Sequence, residues 1–281
     1  MKIEQNPFSI YDFLGYLIPG IIFVTGFLFL IDADYSKIPK FPFDMKLDQY
    51  IVVLLMCYLC GHLLSYLSSI SIEFFAVWSL GFPSRYLLGY RIPGIWSNFF
   101  RVGSKNIFLI IAKILMCIYI FPVILTDLFI RKVLRTTSIL GKSMDKISVK
   151  LIENRIIEYI VNELGFSNIT IEDKDKEKPP DFFRFIYHYA CEESKVHFGK
   201  MQNYVALYGF TRTICFTSIS LLWVLIVQLA ITGYEGYMCL YMIGLTIISG
   251  ILYVDFNKFY RKFSLEAMMA FSILYKPKNC A

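Results

Sequence analysis

Apolar residues gather into five long stretches almost free of charge: Phe13–Ile31, Tyr50–Ile72, Ile107–Thr126, Thr213–Thr232 and Tyr237–Val254. Each holds about the 17–25 residues a helix needs to cross ~30 Å of hydrocarbon. Between them the pattern becomes amphipathic. Ile147, Leu151, Ile152, Ile156, Ile157 and Ile160 recur at helical spacing over Ser143–Leu164, and Gly165 is a stop signal. Pro179-Pro180-Asp181 reads as a helix start with Asp181 as N-cap. Phe182, Phe185, Ile186, Tyr189, Val196, Tyr204, Val205 and Tyr208 then form one face that runs, without a proline, into Thr213–Thr232. The spacing predicts one helix of about 50 residues, ~75 Å long, whose first half projects as a stalk.

Composition agrees with that pattern. Of 281 residues, 57% are hydrophobic and only 18% charged, which a soluble domain of this size does not show. The sequence therefore predicts an all-α membrane protein. Its seven cysteines are scattered, which argues against a disulfide framework. Cys57-x-x-Cys60 has zinc-knuckle spacing but no second pair, and His62, His188 and His197 are dispersed, so no metal or other cofactor is expected. Before the first apolar run the only cation is Lys2, and no small-residue cleavage site follows Ile31. Phe13–Ile31 is thus expected to stay as an anchor rather than be removed.

Cations in the connections set the threading, because cationic loops stay cytoplasmic. Asp32–Gln49 holds three lysines against four aspartates and can be exported, whereas Arg85, Arg91, Arg101 and Lys105 follow the second span with no acid among them. The short connection Gly233–Gly236 carries only Glu235, and the tail carries Lys258, Arg261, Lys262, Lys276 and Lys278. Both flanks of Ile107–Thr126 are cationic, it contains Lys113, and Pro122 breaks its last turns before Asp127. Parity favours four crossings, with that segment buried in protein, interfacial or re-entrant; a fifth crossing is the alternative. The expected organisation is a transmembrane hairpin over 1–80 and a basic cytoplasmic domain over 81–212. The latter contains segment 107–126 and a stalk helix over 181–212. A second hairpin over 213–254 and a cytoplasmic tail over 255–281 follow, and both termini lie in the cytoplasm. Gly81–Arg212 holds 19 lysines and arginines against 12 acids, an excess of seven.

Two constellations carry candidate chemistry. Cys57, Gly61, Ser65, Ser69 and Glu73 recur in steps of four, a stripe of small residues ending in an acid. Such a stripe lets helices approach closely or lines a water-filled path with Glu73 at its mouth. Arg131, Lys132, Arg135, Lys142, Lys146 and Lys150 are interrupted only by Asp145 and exceed what orientation requires. With Arg184, Lys195 and Lys200 of the stalk they suit anionic headgroups or a phosphate-bearing ligand. Lys113 and Asp127 either face a pore or are edge charges. No phosphate-binding, dinucleotide, zinc-protease or nucleophile-elbow motif is present in the sequence, which argues against an enzyme.

The opening Tyr11-Asp12-Phe13-Leu14-Gly15-Tyr16-Leu17-Ile18-Pro19-Gly20 resembles the start of a group of small bacterial membrane proteins associated with anti-phage defence. The run from Phe182 through Tyr204, Tyr208 and Arg212 is similar to their later half. The nearest resemblance is to the membrane component of Hailong systems, then to that of Kiwa systems. It implies an oligomeric inner-membrane effector, expected as a tetramer, silent until infection and then disturbing the membrane. A Hailong-type member implies a nucleotidyltransferase partner whose product, a nucleotide or oligonucleotide, binds the membrane protein. The sequence expectation is thus a ligand-gated pore; the alternative is a non-conducting membrane sensor or scaffold that recruits a soluble partner.

Overall fold

The computed structural model describes residues 12–31, 47–90, 107–135, 139–165, 182–233 and 236–276. Among them there is no strand, and four helical stretches are long and apolar enough to cross a membrane. The chain is an all-α, multi-pass membrane protein. In order, the helices are α1 (Phe13–Ile31), α2 (Leu47–Ser68), α3 (Phe74–Leu80), α4 (Pro83–Leu87), α5 (Ile107–Tyr119), α6 (Phe121–Leu128), α7 (Lys146–Asn162), α8 (Phe183–Glu193), α9 (Lys195–Thr232) and α10 (Gly236–Leu274). The residues fall into two compact bodies. The first comprises Met1–Phe75, Ser104–Leu134 and Ala206–Phe256; the second comprises Ala76–Gly103, Arg135–Val205 and Asn257–Ala281.

The first body contains the most apolar sequence. Its α1 and α2 are antiparallel and their backbones touch. A Cβ on Gly20 would lie 1.8 Å from the Cys57 carbonyl oxygen, and one on Gly61 would lie 1.8 Å from that of Tyr16. Small residues are what permits this approach where lipid tails supply no hydrophobic drive between helices. Large apolar side chains point the other way: Leu55, Met56, Leu59 and Leu63 of α2 are exposed, while Cys57, Gly61, Leu64, Ser65 and Ser68 are buried.

Three π turns, with hydrogen bonds one residue longer than in an α-helix, interrupt this body: Phe13–Leu17, Ser69–Glu73 and Phe129–Val133. In the first, the Ile18 N–H donates to the Phe13 carbonyl. Pro19 explains it, because its ring has no N–H and crowds the carbonyl four residues back. The second turn re-aims the small-residue stripe. Beyond Ser65, the buried positions become Ser68, Ser71 and Ile72, whereas Ser69, a member of the sequence stripe, is half-buried.

In the second body the amphipathic helices bury one apolar face. In α7, Val149, Ile152, Ile156 and Ile160 are buried, while Ile147 and Leu151 of the sequence pattern are exposed. Asp145 caps that helix by accepting from the Ser148 N–H at 2.9 Å. Gly165, at φ +71°, follows its end. A core of Ala190, Met201, Ala267 and Ala270 is packed by Phe183, Tyr187, Phe263 and Leu274.

The single stalk helix of the sequence reading is two helices. Ser194 adopts an extended backbone (φ −144°, ψ 112°), ending α8 and starting α9. Its hydroxyl accepts from the His197 N–H at 3.4 Å, so the break is an N-cap rather than a glycine or proline kink. Phe182 occupies the N-cap of α8, and Asp181 lies outside the described residues. The last apolar span is also longer than its hydropathy suggested: α10 continues from Val254 to Leu274, so much of the expected tail is helix.

Candidate functional site

The membrane body collects charge at two places. On α9, Arg212 is buried, and its guanidinium pairs with the Glu73 carboxylate at the end of the second π turn. Its Nε donates to the Ser68 hydroxyl at 3.1 Å. The acid that the sequence offered for a pore mouth is therefore neutralised by a partner 139 residues away. A buried charge left alone costs several kcal/mol, so pairing is what makes Arg212 tolerable inside the protein. Ser65 is buried on the same helix as Gly61, which lies against α1, and close packing is the role the structure shows for Gly61.

The second place is the segment over Ile107–Val133. It is two helices bent by 76°, not one. At about 1.5 Å per residue each limb is ~20 Å long, too short to cross the hydrocarbon alone. Pro122 stands in the first turn of α6, where its missing N–H costs nothing. At the break the Val123 N–H turns to the Ile120 carbonyl (3.0 Å), leaving the Tyr119 carbonyl to a different donor. That donor is Trp223 of α9, whose indole N–H reaches it at 2.9 Å. The Trp223 ring also stacks on Tyr119 at 6.0 Å and meets Phe121 edge-on at 6.2 Å. The Tyr119 hydroxyl bonds that of Ser220 at 2.7 Å. A backbone break away from water is tolerated when such partners take over its freed groups.

Beyond the break, Asp127 is almost fully buried, with 1% of its side chain exposed, and accepts from the Arg131 Nε at 2.7 Å. The Thr126 hydroxyl sits where a Cβ on Gly250 would be, 2.5 Å away, which holds α6 tightly on α10. Lys113, on α5, lies on the half-buried side of a helix none of whose residues is fully buried. Asp127 thus finds its partner one turn along its own helix, at Arg131.

Along α9 the buried hydroxyls of Thr211, Thr213, Thr217, Ser218 and Ser220 donate to carbonyls one turn back. They need no water, and the helix can turn this polar row toward protein.

The basic residues are divided between the two bodies. Arg131 and Lys132 belong to the first; Arg135, Lys142, Lys146, Lys150, Arg184, Lys195 and Lys200 belong to the second. Arg131 is committed to Asp127, whereas Lys132, Arg135, Lys142, Lys146 and Lys150 are exposed. Lys200 lies 3.5 Å from Glu266 of α10, which also takes the His197 Nδ1 at 2.7 Å. Arg184 and Lys195 are exposed on α8 and α9. Asp145, among these cations, accepts from the Ser148 hydroxyl and N–H, which holds its carboxyl below the usual carboxylate range. Of the cations that follow the second span in the sequence, Arg91, Arg101 and Lys105 lie outside the described residues.

Three residues that hold this arrangement were not singled out by sequence. Trp223 looks like any apolar residue of a span, Ser68 sits off the four-step stripe, and Ser194 is a cap without neighbouring turn residues. Only Ser194 had a usable signal, a hydroxyl followed three residues later by a polar side chain. Among the described residues no group of three His, Cys, Asp or Glu is placed to hold a metal ion. Compared with known protein families, curated proteins and solved structures, the chain matches none.

Proposed function

We propose that the protein is an oligomeric channel of the bacterial inner membrane, a homo-tetramer with both termini and the basic block in the cytoplasm. The observation that carries the reading is the 76° break at Tyr119–Ile120, with its freed carbonyl held by Trp223. Non-helical backbone at membrane depth lines a cavity or is buried in protein, and re-entrant hairpins of this kind build conduction paths. Cationic flanks on both sides of Ile107–Val133 favour entry and return on one face. A channel harmful to its host has to be closed at rest, so a ligand must distinguish two states by several kcal/mol. The exposed cations of the second body suit an anionic ligand, a nucleotide or oligonucleotide made by a nucleotidyltransferase. The N-terminal resemblance supports a role as a defence effector.

Reconstituted in liposomes loaded with an ion-sensitive dye, the full chain should release ions only when a single-stranded oligonucleotide is added. Binding should weaken steeply with salt. Charge reversal at Lys142, Lys146 and Lys150 should abolish both binding and release. Binding without release under any condition would instead support the scaffold reading, which the internal pairing of Glu73 with Arg212 favours. Absence of both binding and release would overturn the channel reading.

A further inference from the structure

A cavity of about 460 Å³ opens in the second body, lined by Tyr159, Glu163, Leu164, Tyr189, Tyr275 and Lys276. Its size falls within the several-hundred-Å³ range of small-molecule sites. Three features of the chain make it. Helix α7 ends at Asn162 with Glu163 as its C-cap, and the left-handed Gly165 follows, so the Glu163 and Leu164 side chains belong to a fixed helix end. Tyr189 comes from the middle of α8, and Tyr275 directly follows the last turn of α10. The Arg155 guanidinium ties the far wall to α7 by donating to the Tyr275 carbonyl at 2.8 Å.

The walls are a preorganised aromatic group. Tyr159 meets Tyr189, Phe271 and Tyr275 edge-to-face with centroids 5.6, 5.4 and 5.4 Å apart. Tyr275 stacks on Phe271 at 5.6 Å, and Tyr189 meets both of those rings. Rings locked against one another lose little freedom when a ligand arrives. None of the cations assigned above to an anionic ligand lines the cavity. The charges felt at Tyr189 are acidic: after burial, Glu193, then the Tyr159 and Tyr275 phenols, and last Glu163 raise its phenol above the usual range. Lys276 is the one cation among the lining residues.

We propose that this cavity binds a small organic cation, an alkylammonium or polyamine. Its methylene or methyl groups would lie on the tyrosine rings, and its charge would be met by Glu163. Aromatic faces attract cations through their quadrupole, and a carboxylate at the rim adds a direct partner. Glu163 is the one acid among the lining residues, and an anionic nucleotide would meet its carboxylate. The site stands on the second body alone and does not depend on whether the protein conducts.

The test uses the full chain in detergent, titrated calorimetrically with tetramethylammonium, choline and spermidine, and with adenosine monophosphate as the anionic aromatic counterpart. Saturable binding of at least one cation is expected. Glu163→Gln and Tyr189→Leu should each weaken it about tenfold, while Tyr189→Phe, which keeps the ring, should bind like the parent. Glu163→Gln changes no buried volume, so an unchanged melting temperature will separate lost binding from lost fold. No saturable binding of any of the three cations would overturn the proposal. So would equal binding by the Glu163→Gln protein, or tighter binding of adenosine monophosphate than of the cations.

Discussion

The two bodies of this protein are built by opposite rules. In α2 of the membrane body, Gly61, Ser65 and Ser68 are inside, and Leu55, Leu59 and Leu63 are outside. In α7 of the second body, Ile152, Ile156 and Ile160 are inside, and Lys146, Lys150 and Asn154 are outside. The solvent explains the inversion. Lipid gives bulky apolar side chains no reason to hide, so the membrane body is held by close backbone approach and by satisfied polar groups. The second body is instead held by burial of aliphatic and aromatic side chains, the pattern water produces. One consequence is that small changes of volume or charge should be felt most in the membrane body.

The largest effect is expected from removing one member of the part-buried Arg212–Glu73 ion pair. Arg212→Leu strands Glu73 and should cost roughly 3–5 kcal/mol, read as a fall in melting temperature in detergent. The double change Glu73→Leu with Arg212→Leu should recover most of that loss. If the double variant is no better than the single, the pair is not what holds α2 to α9.

Next comes Gly61→Ala. The added methyl would collide with the Tyr16 carbonyl, backbone against backbone, so neither side can yield by rotating. A cost at or above the ~1–3 kcal/mol of ordinary overpacking is expected. The same change at Gly199 of α9, where a Cβ would meet nothing within 4 Å, should be neutral or slightly stabilising. Equal melting temperatures for the two variants would contradict the touching of α1 and α2.

A smaller effect is expected at the bent segment. Trp223→Phe keeps an aromatic ring beside Tyr119 but removes the N–H that its carbonyl receives. About 1–3 kcal/mol should be lost, together with faster amide exchange around Ile120. Unchanged exchange there would show that the break is held without Trp223.

The smallest effect belongs to the second body and is a matter of pH. The Asp145 carboxyl is held below its unfolded range by Ser148, so its cap is fully present above the ordinary carboxylate range. It is lost as pH falls through the depressed folded value. The protection of the first-turn amides of α7, measured relative to their intrinsic exchange rates, should therefore fall only in acid, and Asp145→Asn should flatten that dependence. A loss of protection near neutral pH would assign the effect to another group.

Much of this architecture was legible in advance. Hydropathy located the long membrane helices, because a run of some twenty apolar residues has one economical solution in a bilayer. Proline and Gly165 marked real boundaries at Ile120 and at the end of α7. What stayed hidden depends on partners distant in sequence. The π turn at Ser69–Glu73 leaves Ser71 and Ile72 buried and Ser69 half-buried, and no local propensity encodes it. Glu73 was visible as an acid at a membrane boundary, but its match to Arg212 is a three-dimensional fact. The Ser194 break went unread because α8 and α9 share an amphipathic face across it.

That separation between Glu73 and Arg212 has a consequence for biosynthesis. A ribosome adding about 5–20 residues per second needs roughly 7–30 s to travel the 139 residues from one to the other. Throughout that interval α1 and α2 can already be packed, with the acid still waiting at the end of α2. A nascent chain halted before α9 would carry that unmatched charge permanently, which would mark it for removal by membrane quality control.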